Sequence, residues 1–139
     1  MFAALVGLLL GIGSSAVLLR SGIASDRRAL GAAIAVLLCA IAAFYPVFAV
    51  DHGGLFGLLL HLLIAAGFCA CAYRGVLGGR SGGISLLAFG LIAHGAFDAA
   101  LMFGPSMAFG APHWWPQFCA AYDVTLGLFA LWQSRRLTT

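Results

Sequence analysis

Five long apolar segments, joined by short linkers, constrain this chain more than any other feature of its sequence. Each is close to the roughly 20 residues that an α-helix needs to cross a bilayer. They cover residues 2–19, 29–50, 54–73, 83–103 and 117–134. The chain is 63% hydrophobic and 8% charged, whereas soluble domains carry about 25% charged residues. We therefore predict an all-α, polytopic membrane helical bundle with five transmembrane helices, built as a single transmembrane domain from residues 1–139.

The first apolar segment occupies the position of a signal peptide but lacks its composition. No basic residue precedes the segment, which runs from Phe2 to Leu19 and ends at Arg20. A secretory signal begins with a basic region and closes on a cleavage site of small residues. We therefore expect this segment to be retained as a spanning helix.

The distribution of arginine predicts the orientation in the membrane. All of the basic residues lie in the first linker, in the third linker or after the last segment. They are Arg20, Arg27, Arg28, Arg74, Arg80, Arg135 and Arg136. By the positive-inside rule these regions are cytoplasmic, which places the N-terminus outside and the C-terminus in the cytoplasm. We expect a multi-pass protein of the plasma (inner) membrane, and we interpret the net charge of +3 as a topology signal, with no nucleic-acid partner.

Two features of the apolar segments bear on helix packing. Gly7, Gly11 and Ser15 recur every four residues and form a small-residue face on the first helix. Such a face allows close helix contact, either within the chain or between copies in a homo-oligomer. Pro46 lies inside the second segment, where it should free a backbone carbonyl and kink the helix near its outer end.

Four ionisable residues inside the apolar segments indicate a site. They are His61 in the third segment, His94 and Asp98 in the fourth, and Asp123 in the fifth. At 1.5 Å per residue they lie roughly 8–13 Å below the outer boundary, so they share one layer of the outer half of the membrane. Ionisable groups in spans usually face the interior of a bundle. We predict that these four residues converge, although His–Asp pairs that only fasten helices together remain an alternative.

Several residues are placed to line this layer. Cys119 and Tyr122 share a helix face with Asp123, because their spacings are three and four residues. Further candidates for substrate binding are Tyr45, Phe97 and Trp115, at the same end of the helices. Near that end, Asp51, His52 and His113 are candidates for the mouth of the site, although solvated loop residues are the simpler interpretation.

The last third of the chain resembles a family of small bacterial integral membrane proteins whose function is uncharacterised. The resemblance is carried by an HxxxD pair in a late helix, His94 and Asp98, and by a CxxxD pair that opens the last helix, Cys119 and Asp123. Family members often have further histidines directly after the first Asp, where this chain has Ala99 and Ala100. The resemblance implies that the four matching residues form a site, and it implies no particular reaction.

Three classes of function fit these observations. The first is a membrane-embedded enzyme of the isomerase, cyclase or hydratase type, acting on a small hydrophobic substrate that is isoprenoid- or lipid-like. In it, Asp123 and Asp98 donate and accept protons, with His94 and His61 orienting or relaying them. The second is a proton-coupled transporter, because intramembrane Asp and His residues carry protons. The third is an accessory or structural subunit of a membrane complex.

The sequence favours a site without a cofactor. His61, His94, Asp98 and Asp123 together offer two nitrogen and two oxygen ligands for zinc or iron. The chain contains no HExxH or HxxxH motif. The sequence therefore favours acid–base or structural roles of these residues over metal binding.

Overall fold

A computed structural model describes residues 1–78, 81–104 and 110–137 of the chain, apart from the side chain of residue 81. Arg80, one of the predicted cytoplasmic arginines, lies outside the described residues. Over these ranges the chain is all-helical, with no strand. Six α-helices are present: α1 (Phe2–Arg20), α2 (Arg27–Ala42), α3 (Phe44–His52), α4 (Gly54–Leu77), α5 (Ser81–Leu101) and α6 (Trp115–Arg136). A single 3₁₀ turn, Ile23–Ser25, joins α1 to α2.

Four helical segments are long and apolar enough to cross a membrane. They are Phe2–Arg20, Arg27–His52 (α2 and α3 together), Gly54–Leu77 and Gly82–Leu101. The prediction of an all-helical protein with helices long and apolar enough to cross a membrane is confirmed within the described residues. The fifth predicted segment forms α6, which is 22 residues long but is not among the four. Its hydropathy is lower because it begins with Trp-Pro-Gln, contains Asp123 and ends with Gln-Ser-Arg-Arg.

The second spanning segment is interrupted where Pro46 predicts a kink. Pro46 has no N–H, so it cannot bond to the carbonyl of Ala42, four residues earlier. Helix α2 ends at Ala42, and α3 begins at Phe44. The interruption lets α3 take its own path over α4, against which it packs.

The start of α2 is fixed by a side-chain cap. The Asp26 carboxylate accepts hydrogen bonds from the backbone N–H groups of Arg28 (2.7 Å) and Ala29 (3.1 Å). These bonds, that of Ala29 first, hold the pKa of Asp26 below its ordinary value, with a further contribution from the Arg28 charge. The negative cap also complements the positive end of the helix dipole.

Helix α6 occupies the middle of the bundle, between α1 and α5, while α4 packs against α2, α3 and α5. The main core lies where α2 meets α5 and α6. Its fully buried side chains are Leu30, Ile34, Leu38, Leu87, Leu91 and Leu126. At the arginine-bearing end, Gln133 Nε2 donates to the carbonyl of Ala24 at 2.7 Å, and Arg27 donates to the carbonyl of Leu137. These bonds tie the start of α2 to the end of α6.

The small-residue face of α1 contacts α6 of the same chain. Gly7 packs on the backbone of Phe118, and Gly11 packs on Tyr122 and Thr125. The other faces of α1 carry exposed apolar side chains, as expected where lipid replaces water as the solvent. The two glycines are thus buried without a second copy of the chain, and a homo-oligomer through them stays a prediction.

Helices α5 and α6 approach closely at two further glycines. A Cβ atom on Gly95 would lie 2.9 Å from Val124 and 3.1 Å from the carbonyl of Ala120. One on Gly127 would lie 3.0 Å from the carbonyl of Ala88. Glycine permits this approach because it has no side chain to separate the two backbones. The close contact at Gly95 brings the neighbouring His94 within reach of α6.

The contact between α1 and α6 yields a prediction about stability. We expect Gly7→Ala to lower the free energy of unfolding by about 1–3 kcal/mol, because the added methyl group would overlap the Phe118 backbone. Gly13→Ala on the same helix is the matched control, because nothing lies within 4 Å of its Cβ position. It should be neutral or stabilising. Unfolding of both variants in detergent, followed by circular dichroism, makes the comparison. Equal stability of the two would contradict this packing.

Candidate functional site

Four polar side chains from three helices meet in the interior of the bundle. They are Tyr45 of α3, His94 and Asp98 of α5, and Asp123 of α6, and none is more than 2% exposed. We call these four residues the polar cluster. A buried group of His and Asp residues, predicted from their common depth, is therefore confirmed.

A single nitrogen of His94 faces both carboxylates. Its Nδ1 lies 2.8 Å from Oδ2 of Asp123, within hydrogen-bond distance. The same atom lies 3.2 Å from Oδ2 of Asp98, one turn along α5. The four-residue spacing of His94 and Asp98 places both on one face of the helix, which explains the second contact.

Tyr45 extends the cluster to a third helix. Its hydroxyl donates a hydrogen bond to Oδ1 of Asp98 at 2.5 Å. Asp98 therefore presents one oxygen to Tyr45 and the other to His94. The result is a continuous chain of polar contacts that runs Tyr45–Asp98–His94–Asp123.

His61 lies beside the cluster, on the far side of the Tyr45 ring. It is 1% exposed, and its ring stacks on Tyr45 with centroids 5.2 Å apart and planes at 17°. The structure thus brings three of the four predicted residues into mutual polar contact, and it places His61 against them through an aromatic contact. Depth along α4 put His61 in the correct layer, but depth does not determine the direction in which a side chain points.

Aromatic rings enclose the cluster. Phe97 packs edge-on against Tyr45 at 5.5 Å, and Phe68 packs against the ring of His94 at 4.8 Å. Sequence reasoning missed Phe68. Its signal is that it follows His61 by seven residues and so lies on the same face of α4.

The other predicted lining residues divide into two groups. Cys119 is 2% exposed and lies one turn before Asp123, on the face of α6 that is turned into the bundle. Tyr122 lies instead toward α1, where its hydroxyl is 3.2 Å from Oγ of Ser14. The spacing of Tyr122 and Asp123 within α6 could not predict the contact with Ser14, because Ser14 belongs to another helix, α1.

The end of the bundle opposite the arginine-bearing end, which we call the outer end after the predicted orientation, carries the remaining candidates. Trp115 packs on Phe44 and Phe48, with centroid distances of 4.8 and 5.3 Å. Phe48 in turn contacts Tyr45 edge-on at 6.3 Å, so aromatic rings connect Trp115 to the polar cluster. Three further candidates, Asp51, His52 and His113, are exposed.

A groove of about 680 Å³ opens at this outer end, between the beginnings of α1 and α6. Its lining is mainly apolar and includes Phe2, Val6, Trp114, Trp115 and Phe118. Trp115 thus belongs both to the groove and to the aromatic contacts that lead to Tyr45. The groove is therefore connected to the polar cluster through side-chain contacts, although none of the four cluster residues lines it.

The hydrogen-bond capacity of the cluster is not exhausted by its protein contacts. Oδ1 of Asp123 is buried without a hydrogen-bond partner among the described residues, and Oδ2 of Asp98 has only the 3.2 Å approach of His94. Leaving a buried carboxylate oxygen unsatisfied is costly. His94, Asp98 and Asp123 each offer one ligand atom, and these three atoms lie within 4.8 Å of one another. Such a geometry can hold a proton network or a metal ion.

Comparison with known proteins adds no functional assignment. No family model, no curated protein and no solved structure matches this chain. The resemblance to small bacterial membrane proteins therefore stays a prediction, and function has to be argued from the chemistry of the cluster.

The bond between Tyr45 and Asp98 yields a second prediction about stability. We expect Tyr45→Phe to lower the free energy of unfolding by about 1–3 kcal/mol, because it leaves Oδ1 of Asp98 buried without its donor. Tyr73→Phe is the matched control, since Tyr73 is 66% exposed. Thermal unfolding of both variants in the same detergent measures the difference. Equal effects of the two changes would show that the bond contributes nothing to stability.

Proposed function

We propose that the chain is a five-span protein of the bacterial plasma membrane, with its N-terminus outside and its C-terminus cytoplasmic. The support for α6 as the fifth span is its length and its position. At 1.5 Å per residue its 22 residues extend for about 33 Å, enough to cross the hydrocarbon core. Asp123, Gln133 and Ser134 are buried against neighbouring helices. The least apolar helix is thus shielded from lipid.

Reporter fusions test this orientation. A fluorescent protein joined after Leu137 should fluoresce in the cytoplasm, and alkaline phosphatase joined at the same point should be inactive, since that enzyme folds only where disulfides form. Alkaline phosphatase joined after His113, in the linker before α6, should be active. The opposite pattern would show that the protein is inverted, and equal activity at both points would remove α6 as a span.

For the polar cluster, we propose acid–base catalysis on a lipid-soluble substrate, carried out within the membrane. This proposal depends mainly on one observation: His94 Nδ1 lies within 3.2 Å of two buried carboxylates. One of them, Asp98, also accepts a hydrogen bond from Tyr45. Groups at such distances can pass a proton from one to the next. Asp123 and Asp98 serve as proton donor and acceptor, and His94 relays between them. His61 orients Tyr45 through ring stacking.

The composition of the cluster supports chemistry over a purely structural role. One carboxylate satisfies one imidazole, so a pair would be enough to fasten α5 to α6. The second carboxylate adds an acidic group that no Lys or Arg side chain contacts within the described residues. Uncompensated charge is strongly unfavourable in a membrane interior, and it is usually retained where a function requires it.

The surroundings of the cluster support a hydrophobic substrate. Phe68 and Phe97 pack directly on the polar residues, and the nearest groove is lined by apolar side chains that lead to Tyr45 through Trp115 and Phe48. An isoprenoid- or lipid-like molecule suits such walls. A double-bond isomerisation, a cyclisation or the addition of water requires a proton donor and a proton acceptor within reach of such a molecule.

The same observations favour an enzyme over a proton-coupled transporter. A transporter needs exchangeable groups along the whole path across the membrane. In the described parts of the inner half, the buried polar side chains are Gln133 and Ser134, which bond to the Ala24 and Leu131 carbonyls. Neither group exchanges charge near neutral pH. The ionisable residues are confined to the outer layer, where one substrate can meet all of them.

Deuterium uptake tests the enzymatic proposal without knowledge of the substrate. Purified protein is reconstituted into the total lipid extract of a bacterium and incubated in D₂O, and the lipids are analysed by mass spectrometry. A proton-transfer enzyme should place deuterium on carbon in one lipid class. Asp123→Asn should slow this by about 10²–10⁴-fold, the usual contribution of a general acid or base.

Asp51→Asn is the matched control, because it makes the same change at an exposed position. It should leave deuterium uptake at the wild-type rate. No deuterium on any lipid with wild-type protein, or equal uptake by the Asp123 variant, would overturn the enzymatic proposal. Size-exclusion profiles of all three proteins establish that they are equally well folded.

A further inference from the structure

We infer that His94, Asp98 and Asp123 bind one divalent transition-metal ion, with Tyr45 holding Asp98 in position. This inference rests on the proposed function, because it concerns the same cluster. With the ion bound, the three residues would act as its ligands and no longer as a proton relay, and the ion would supply the Lewis acid that polarises the substrate. A cation of this kind acts as a Lewis acid on an oxygen or a double bond that approaches it.

Charge balance is the first argument. With both carboxylates ionised and the imidazole neutral, the protonation states in which these groups bind a metal, the three side chains carry a charge of −2, which a divalent cation neutralises. All seven basic residues of the chain lie in linkers or at helix ends, so none is placed inside the outer layer. Buried carboxylates need a paired charge or a metal, because the low-dielectric interior cannot solvate them.

The distances are the second argument. Zinc binds His nitrogen and carboxylate oxygen at about 2.0–2.2 Å, so two ligand atoms in tetrahedral arrangement lie about 3.3–3.5 Å apart. In the structure, Nδ1 of His94 lies 2.8 Å from Asp123 and 3.2 Å from Asp98. Separating Nδ1 by about 0.5–0.7 Å more from Asp123 and by about 0.1–0.3 Å more from Asp98 would convert the observed cluster into a coordination shell.

The unsatisfied oxygens are the third argument. Asp123 is completely buried, and its Oδ1 has no hydrogen-bond partner among the described residues. Among the described residues, Oδ2 of Asp98 has only the 3.2 Å approach of His94 Nδ1, while Oδ1 of the same group is held by Tyr45. A ligating carboxylate is commonly oriented in this way, by a bond to the oxygen that does not bind the metal. The free atoms point to a missing positive partner.

The ligand types limit which ions would bind. One imidazole and two carboxylates suit Zn²⁺, Mn²⁺ or Fe²⁺ better than Mg²⁺ or Ca²⁺, which prefer oxygen ligands alone. Neither Cys119 nor His61 belongs to the group of three. Of the four ligands that the sequence suggests, three therefore remain, and His61 is left out. Three protein ligands with an open position are typical of catalytic zinc sites.

Cobalt provides a direct probe of this site. Full-length protein in detergent is stripped with a chelator and titrated with Co²⁺, whose visible absorption reports its coordination. We expect one Co²⁺ per chain in a four- or five-coordinate spectrum. Asp123→Asn and His94→Gln should abolish the spectrum. Tyr45→Phe should retain it but weaken binding by about 10–100-fold, the usual effect of losing a residue that orients a ligand.

The controls separate this site from the surface. Asp51→Asn and His52→Gln make the same changes at exposed positions, and both should leave Co²⁺ binding unchanged. Cys119→Ser should also retain the spectrum, which excludes a thiolate ligand. If the ligand variants fold poorly, wild-type protein still decides the question. Zn²⁺ should raise the melting temperature of the stripped protein, because it binds only the folded state.

Two results would overturn the metal site: no Co²⁺ spectrum with no stabilisation by Zn²⁺, or equal loss of binding in the surface variants. Deuterium uptake by a protein that shows neither Co²⁺ binding nor stabilisation by Zn²⁺ would leave the enzymatic proposal intact. Stoichiometric metal binding without deuterium uptake on any lipid would support the metal site and overturn the enzymatic proposal. The two proposals therefore fail separately.

Discussion

The low dielectric constant of the bundle interior determines how this small protein is organised. Asp98 and Asp123 are completely buried, so each needs partners from the protein or from a bound ion. The partners come from different helices: His94 faces both carboxylates, and Tyr45 reaches Asp98 from α3. The meeting of α3, α5 and α6 at one point serves this requirement, because the bond from Tyr45 to Asp98 needs α3 against α5, and the contact of His94 with Asp123 needs α5 against α6.

Helix contact and site chemistry depend on the same residues. The distance of 2.8 Å between His94 and Asp123 is possible only because α5 and α6 approach closely, and they do so at Gly95, the residue next to His94. A larger side chain there would meet Val124 and the carbonyl of Ala120 and would separate the helices. A change of a few tenths of an ångström matters little for apolar packing but decides whether a hydrogen bond or a coordination shell can form.

The sequence predicted the helices and the depth of the site well, and the lateral arrangement poorly. The apolar segments located α1, α4, α5 and α6 to within a few residues, because a run of about 20 apolar residues favours one long helix. The second segment comprises two helices, α2 and α3. Counting residues along each helix placed His61, His94, Asp98 and Asp123 in one layer. The direction in which one side chain points relative to another could be predicted only within a single helix, as for His94 and Asp98. The donor role of Tyr45, the stacking of His61 and the contact of Tyr122 with Ser14 depend on neighbouring helices, which spacing within one segment does not reveal.

The difference between α1 and α6 shows how a polar helix can lie in such a bundle. Helix α6 carries Asp123, Gln133 and Ser134, all of them buried, and it is not among the segments apolar enough to span by composition alone. Helix α1 buries only Gly7, Gly11 and Leu18 and exposes most of its large apolar side chains. Helix α1 therefore covers one side of α6, and α5 covers another. As a result, α6 contributes polar groups to the interior of the bundle, and α1 contributes apolar side chains to its surface. A chain this short can hold two buried carboxylates because these two tasks are divided between adjacent helices.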